Sequence, residues 1–412
     1  MSWGNAPLRG VRESGGLPSP CGAGAFACLP ASRAKTMSKP RSVLLMSRDL
    51  GIGGTQRQLA LTAMALDRTL FEPHVACFLD DGFRARELRS CGVPIVHFPV
   101  HSFKSFSALK AAWLMGRYLK AHDIRLVHTF DVPMDLFGVP VARFFRTPVI
   151  ISSQRAHRTL TPGVTTHLLR LTDRLVDGIV VNSQAVEREL IERHGVPRSL
   201  IHLWRNTIDC SRFSPGPSAR QPQLEGASLV IGTICELRPE KGVDILLDAF
   251  ARVRHARPGL KLAIVGSGPS ASGLEARGQR LGLGDSCRFV PQVSNVPEWL
   301  HSIDVFVAPS RSEAFSNSLM EAMACGCCVV ASAVGGNPEL VTDGVNGMLF
   351  PSEDVPALER CLRSLVVEDP RLRHSLSVAA AAHVRRSFSA EVSMAGISEL
   401  YATLLDAGAG RS

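Results

Sequence analysis

The 412-residue chain has no uninterrupted apolar run of roughly 18 residues, the length a helix needs to cross a bilayer. A membrane-spanning helix is therefore not expected. The first 39 residues contain arginines but no apolar stretch of about 7–15 residues, so a secretory leader is not expected either. Eleven cysteines are scattered without metal-ligand spacing. Cys325-Gly-Cys327-Cys328 has no second Cys or His pair nearby, and Cys77, Cys235, Cys327 and Cys328 lie inside apolar runs. This usage argues against a disulfide framework and for a reduced, cytoplasmic protein. Charged residues are also sparse, at 20% against 45% hydrophobic. Such a chain can bury a large core, and its length calls for two domains of similar size.

Acidic residues are outnumbered in the first half. Residues 1–39 carry a net +4, residues 40–210 a net +7 and residues 211–412 a net −2, within an overall +9. The asymmetry suggests an anionic partner for the first domain, a membrane surface or a charged acceptor; a solvated basic face is the alternative. Nucleic acid is not among the expected partners.

Residues 1–39 are rich in Gly, Pro, Ser and Ala and show no periodicity, so a disordered tail or an over-early start is expected before Met37. From there strand-like and helix-like runs alternate. Ser42–Met46, His74–Leu79, Val93–Phe98, Arg125–Thr129, Pro148–Ser152 and Gly178–Asn182 read as strands of residues 40–210. A Pro/Ser/Gly/Gln-rich stretch near 210–226 reads as a linker. A second series follows in 211–389, with strands at Leu229–Ile234, Lys261–Val265, Cys287–Val290, Val305–Ala308, Cys328–Ala331 and Gly347–Phe350. The expected fold is α/β: two doubly wound Rossmann-like domains facing across a cleft, with ligand loops at the strand C-termini. Residues 390–412 are expected to form a helix returning to the first domain.

The most informative stretch is Pro309-Ser-Arg-Ser-Glu313-Ala-Phe315-Ser316-Asn317-Ser318-Leu319-Met-Glu321. A buried strand precedes it and a helix start follows, with Ser318 and Glu321 spaced as a capping box. Free amides at such a start suit a phosphate, and Glu313 is placed to reach a neutral hydroxylated group beyond it. Early in the chain, Gly51-Ile-Gly53-Gly54-Thr55-Gln56-Arg57-Gln58 follows the first strand, with Thr55 and Gln58 spaced as a second capping box. It is a plausible phosphate cradle or a plain tight turn; Gln56 replaces the third glycine of a dinucleotide fingerprint, and the Lys-Ser/Thr of a P-loop is missing. Gly266-Ser-Gly268-Pro-Ser-Ala271 imitates a nucleotide loop only weakly. Arg238 and Lys241, in Arg238-Pro-Glu-Lys241-Gly242, could neutralise a leaving diphosphate or form an exposed basic turn. His128, Arg155 and His157 follow first-domain strands and are expected to face the cleft. A glycosidase pair of Glu313 and Glu321 is disfavoured, since eight helical residues span roughly 12 Å against the ~5–9.5 Å of hydrolase carboxylates.

These residues resemble the retaining glycosyltransferases of family 4, which have the GT-B fold. The resemblance runs from about Arg41 to Leu405 and is most specific in the E-x7-E stretch from Glu313 to Glu321. It extends through Val334-Gly335-Gly336-Asn-Pro338-Glu339, Asp343-Gly-Val-Asn-Gly347 and the junction Asn206-Thr207-Ile-Asp209 with Phe213. It implies sugar transfer, with retention, from a nucleotide-diphosphate sugar to the hydroxyl of a sugar, glycolipid or polysaccharide acceptor. Glu313 would hold donor-sugar hydroxyls, Glu321 the ribose, and Lys241 the diphosphate beneath the Gly53-Gly54 loop. Phe315, Ser316, Asn317, Ser318 and Leu319 would complete the donor site with Arg238. Glu313, Lys241 and His128 would be catalytic, and Arg155 and His157 acceptor-side. The Asp-x-Asp metal motif of the other transferase fold is absent, so no metal or cofactor is expected.

Two departures stand out. Cys235-Glu236-Leu237 replaces the family's G-R-L, leaving Arg238 as the available phosphate arginine, and Gln154-Arg155 replace a common histidine. They keep a non-catalytic nucleotide-sugar-binding scaffold open as the alternative; a nucleotide-sugar 2-epimerase is the other. Phe103 to Lys120 mixes aromatics with Lys104, Lys110, Arg117 and Lys120 at helical spacing, which suits peripheral docking on an anionic inner membrane face or an ordinary crossover helix.

Overall fold

The computed structural model describes residues 39–100, 102–103, 105–161, 163–217 and 220–409. The expected tail, Lys39 apart, lies outside the described residues, as does Lys104. The first parallel sheet holds β1 (Arg41–Met46), β2 (Phe71–Cys77), β3 (Ile95–His97), β4 (Leu126–Thr129), β5 (Val149–Gln154), β6 (Gly178–Val181) and β7 (Ile201–Leu203), in the order β3-β2-β1-β4-β5-β6-β7. Its crossovers are α1 (Gly54–Ala65), α2 (Phe83–Ser90), α3 (Phe106–Ala121), α4 (Val132–Phe144), α5 (Gly163–Thr172) and α6 (Gln184–His194). Strands such as Val43-Leu-Leu-Met46 are buried on both faces, which is why they read as unbroken apolar runs.

The second sheet comprises β8 (Leu229–Ile234), β9 (Leu260–Val265), β10 (Cys287–Val290), β11 (Val305–Ala308), β12 (Cys328–Ser332) and β13 (Met348–Phe350), ordered β10-β9-β8-β11-β12-β13. Around it lie α7 (Val243–Val253), α8 (Ala271–Arg280), α9 (Val296–His301), α10 (Asn317–Ala324), α11 (Asn337–Leu340), α12 (Val355–Arg363) and α13 (Pro370–Phe388), after which α14 (Ala390–Ala409) leaves this sheet. Strand order reverses at β8/β11, so the crevice above those two strands is the topological switch point where open α/β sheets take their ligands.

The helix α14 packs on α1 and β5 of the first domain. Its Tyr401 is fully buried, edge-on to Phe71 at 5.9 Å, and Ile397 and Leu405 join the same core. At the junction, the Ile208 amide donates to the Phe388 carbonyl at 2.9 Å, which ties the linker to the end of α13. The α/β class and the two doubly wound domains are as the sequence implies. The short β7 and the long α13 are elements that its periodicity did not single out.

Candidate active site

Lys241 and Glu313 come together because two loops interlock above β8 and β11. The turn Pro239–Lys241 ends at Gly242, whose φ of +63° and contact with the Pro309 carbonyl leave no space for a side chain. The Arg311 amide donates to the Glu240 carbonyl at 2.8 Å, and the Arg311 side chain grips both Asp244 oxygens at 2.8 and 2.7 Å. Held in this way, Lys241 Nζ lies 2.6 Å from Glu313 Oε2, with Ser310 Oγ 3.4 Å from the same oxygen. Burial disfavours the Lys241 charge, but the Glu313 carboxylate outweighs it and holds the ammonium above its ordinary pKa.

The helix start differs from expectation. The cap is Ser316, not Ser318: Ser316 Oγ accepts from the Leu319 amide at 3.3 Å, and α10 begins at Asn317. Glu321 then lies five positions past the cap, too far along to close a capping box. It is 4% exposed and paired instead with Arg57 of α1, across the interdomain cleft. The second expected box also fails. Gly53 caps α1 without a side-chain bond, and Gln58 reaches the junction, donating to the Thr207 carbonyl and accepting from its amide, both at 2.8 Å. Gln58 also donates to Asn317 Oδ1 at 3.2 Å. Gly54 sits so close to Asn317 that a Cβ would come within 2.5 Å of its Nδ2. The glycine loop and the first turn of α10 therefore face each other directly.

Asn206 extends this contact, donating to Asn317 Oδ1 at 3.0 Å and to the Phe315 carbonyl at 3.2 Å while accepting from Arg155 at 3.0 Å. Arg155 lies between the Phe130 and Trp204 rings, each 5.3 Å away, and its buried Nε and Nη2 have no acceptor. Burial lowers its pKa to about 10. His157 crosses to the second domain: Nδ1 meets Glu189 and Nε2 lies 3.3 Å from the Glu313 carbonyl oxygen. Gly335 closes on that same carbonyl, at φ +52°.

Other expected site residues are not brought to the cleft. His128 is fully buried, bound through Nδ1 to the Tyr401 hydroxyl at 2.5 Å and through Nε2 to Ser153 Oγ at 2.7 Å. Burial, with Arg155 nearby, drives its pKa well down, which makes it a neutral core residue rather than a group facing the cleft. The Phe315 ring packs on Phe388 at 5.6 Å, and the Leu319 side chain is fully buried, so both serve α10 packing. Ser318 is half-buried beside Ser316. Arg238 is tied to Glu236 at 2.7 Å and to Glu240 at 3.8 Å. Sequence reasoning missed Arg57, Gln58 and Glu189 as cleft residues; the one local signal was the position of Arg57 just after the paired glycines. Among the described residues, no group of three or more His, Cys, Asp or Glu is placed to hold a metal ion.

A family model described as glycosyl transferases group 1 matches residues 218–383, and one described as Glycosyltransferase Family 4 matches residues 52–212. A GDP-mannose-dependent alpha-(1-6)-phosphatidylinositol monomannoside mannosyltransferase of Mycolicibacterium smegmatis is 31% identical over 64% of this chain and 73% of its own length. The chain belongs to the family 4, group 1 glycosyltransferases. The chain is also 31% identical to a D-inositol 3-phosphate glycosyltransferase of Kribbella flavida, over 51% of this chain and 52% of that protein. It thus spans about half the length of the first curated relatives it matches. Its fold is that of Anabaena HepE in complex with UDP, with a TM-score of 0.76 at 22% identity over 88% of this chain and all of that one. Sucrose-phosphate synthase from Thermosynechococcus elongatus gives 0.75 at 19% identity, over 89% of this chain and all of that one. The architecture is GT-B.

Proposed function

We propose that this glycosyltransferase moves a sugar, with retention, from a nucleotide-diphosphate sugar to the hydroxyl of a glycolipid or polysaccharide acceptor. The observation that carries the reading is the Lys241–Glu313 pair, 2.6 Å apart at the switch point of the second sheet. Glu313 takes donor-sugar hydroxyls and Glu321 the ribose. Lys241, with the first amides of α10, holds the diphosphate as charge builds on it. The departing phosphate accepts the acceptor's proton, so no enzymic base is assigned. A relative named for a phosphatidylinositol monomannoside supports an acceptor of glycolipid type.

The test is product formation from a panel of UDP-, GDP- and ADP-sugars with lipid and saccharide acceptors, read by mass spectrometry. A glycosylated acceptor plus nucleoside diphosphate is expected. Donor binding without turnover would leave the scaffold reading, which the engagement of Arg238 by Glu236 and Glu240 favours. Free nucleoside diphosphate released without an acceptor product would point to an epimerase.

Peripheral docking on an anionic membrane is part of the proposal. On α3 the exposed large apolar and basic residues are Phe106, Leu109, Lys110, Trp113, Arg117 and Lys120, one stripe that combines aromatic and basic side chains. The neighbouring helix α4 packs on both α3 and α5 and ends at Phe144, 79% exposed, while α5 adds exposed Val164, Leu168 and Leu171. Among the described residues, no helix is long and apolar enough to cross a membrane.

A further inference from the structure

Both glutamates of the E-x7-E stretch are already engaged by cations. Lys241 holds Glu313 from within the second domain, and Arg57 holds Glu321 from the first. On the proposed function, which this inference deepens, those two carboxylates must accept hydroxyl groups of sugar and ribose. A nucleotide-diphosphate sugar brings both kinds of replacement partner, neutral hydroxyls for the carboxylates and an anionic diphosphate for the cations. We propose that donor binding exchanges partners at both pairs, and that Arg57, released from Glu321, becomes the second diphosphate-binding cation beside Lys241.

Three observations converge on Arg57. It stands in the first turn of α1, directly after the Gly53-Gly54 loop that lies against Asn317, so its guanidinium shares the cleft with the α10 amides. Arg238, the other cation the sequence offers, is occupied by two carboxylates. Beyond its Glu321 partner, the surroundings of Arg57 are short of negative charge. With Arg84 and Arg212 it lines one narrow cavity beside Phe83 and Ser294, where Arg84 and Arg212 share the single carboxylate of Glu87. The Nε groups of Arg57 and Arg84 are buried there without an acceptor. Burial and the Arg84 and Arg212 charges push the Arg57 pKa down to about 9. A diphosphate supplies further negative charge and acceptor oxygens that could also serve the unpaired Nε.

The competing role for Arg57 is a latch that only holds the domains together. Calorimetric titration separates the two, using each nucleoside with its mono- and diphosphate in the uridine, guanosine and adenosine series. In Arg57→Ala, diphosphate affinity is expected to fall about 10–100-fold, in keeping with loss of a charged hydrogen bond. Nucleoside affinity should hold or rise, because Glu321 is freed for the ribose. Arg57→Lys should recover part of the diphosphate affinity. Arg57→Gln, read in the same way, serves if the alanine variant melts abnormally. Equal losses for nucleoside and diphosphate, or an unchanged or tighter diphosphate, would overturn the exchange while leaving the donor reading intact. If the wild-type chain binds none of the three series, both readings fall together.

Discussion

Lys241 Nζ lies 2.6 Å from Glu313 Oε2, and each side chain is mostly shielded from water, at 25% and 12% exposure. In so dry a setting either partner alone is an uncompensated charge. Glu313→Gln and Lys241→Ala are each expected to lower kcat about 100-fold or more, the scale of removing one preorganised electrostatic contact. The double variant should lose far less than the product of the two, since both belong to one unit. Steady-state kinetics with the donor found in the panel decides it; near-normal rates in both single variants would remove this pair from the chemistry.

How much of this was legible in sequence depended on how locally each feature is encoded. Alternating β and α runs were readable because strands buried on both faces are continuous apolar segments. Glu313 and Lys241 were readable because each sits in a contiguous loop after a strand. The α10 cap was misplaced by two residues, because Ser316-Asn317-Ser318 offers several competent caps and only the folded loop selects Ser316. The burial of His128 was not legible locally, because its partner Tyr401 arrives 273 residues later, on a helix from the far end of the chain. The Arg57–Glu321 pair spans both domains and has no local pattern at all.

His157 supplies a pH dependence. Its ring nitrogens face a carboxylate of Glu189 and the Glu313 carbonyl, and both of these only accept, so both nitrogens must carry protons. The hydrogen bond to Glu189 raises the His157 pKa against the opposing effect of burial, with the Glu189 and Glu313 charges adding to the rise. His194, 3.6 Å from the other Glu189 oxygen, is held low by burial and by Arg158. A raised folded pKa means that the contact stabilises fully below the unfolded value of about 6.5. It is lost as pH climbs through the higher folded value. His157→Gln should therefore melt roughly 2–4 °C lower than wild type near pH 6, about 1 kcal/mol, with the gap closing toward alkaline pH. Thermal denaturation across pH checks this, and a constant gap would show that the imidazolium is not involved.

Docking by α3 predicts salt-sensitive binding to vesicles. Replacing Lys110, Arg117 and Lys120 with glutamine should weaken flotation with phosphatidylglycerol vesicles by roughly 100-fold, at about 1 kcal/mol per basic residue near an anionic surface. Trp113→Ser, which also removes the ring that Arg117 covers at 4.8 Å, should weaken it with less salt dependence. Flotation that is equal on neutral and anionic vesicles, or absent from both, would refute the docking face.

Gly335 tests how tightly the Glu313 backbone must be held. Its φ is +52°, and a Cβ there would overlap the Glu313 carbonyl oxygen and lie 3.4 Å from His157 Nε2. The adjacent Gly336 amide donates to the same carbonyl at 3.2 Å, so the loop cannot step aside without giving up that bond. Gly335→Ala should cost about 1–3 kcal/mol from the forced conformation, and more where the overlap is relieved by moving Glu313. Turnover should fall along with stability. Gly344 is the control: its φ is +70°, but nothing lies within 4 Å of a Cβ placed there. Gly344→Ala should lose about 1–2 kcal/mol through the left-handed conformation alone, with kcat intact. If the two variants behave alike in urea denaturation and in turnover, the close approach of Gly335 to Glu313 does not position the carboxylate.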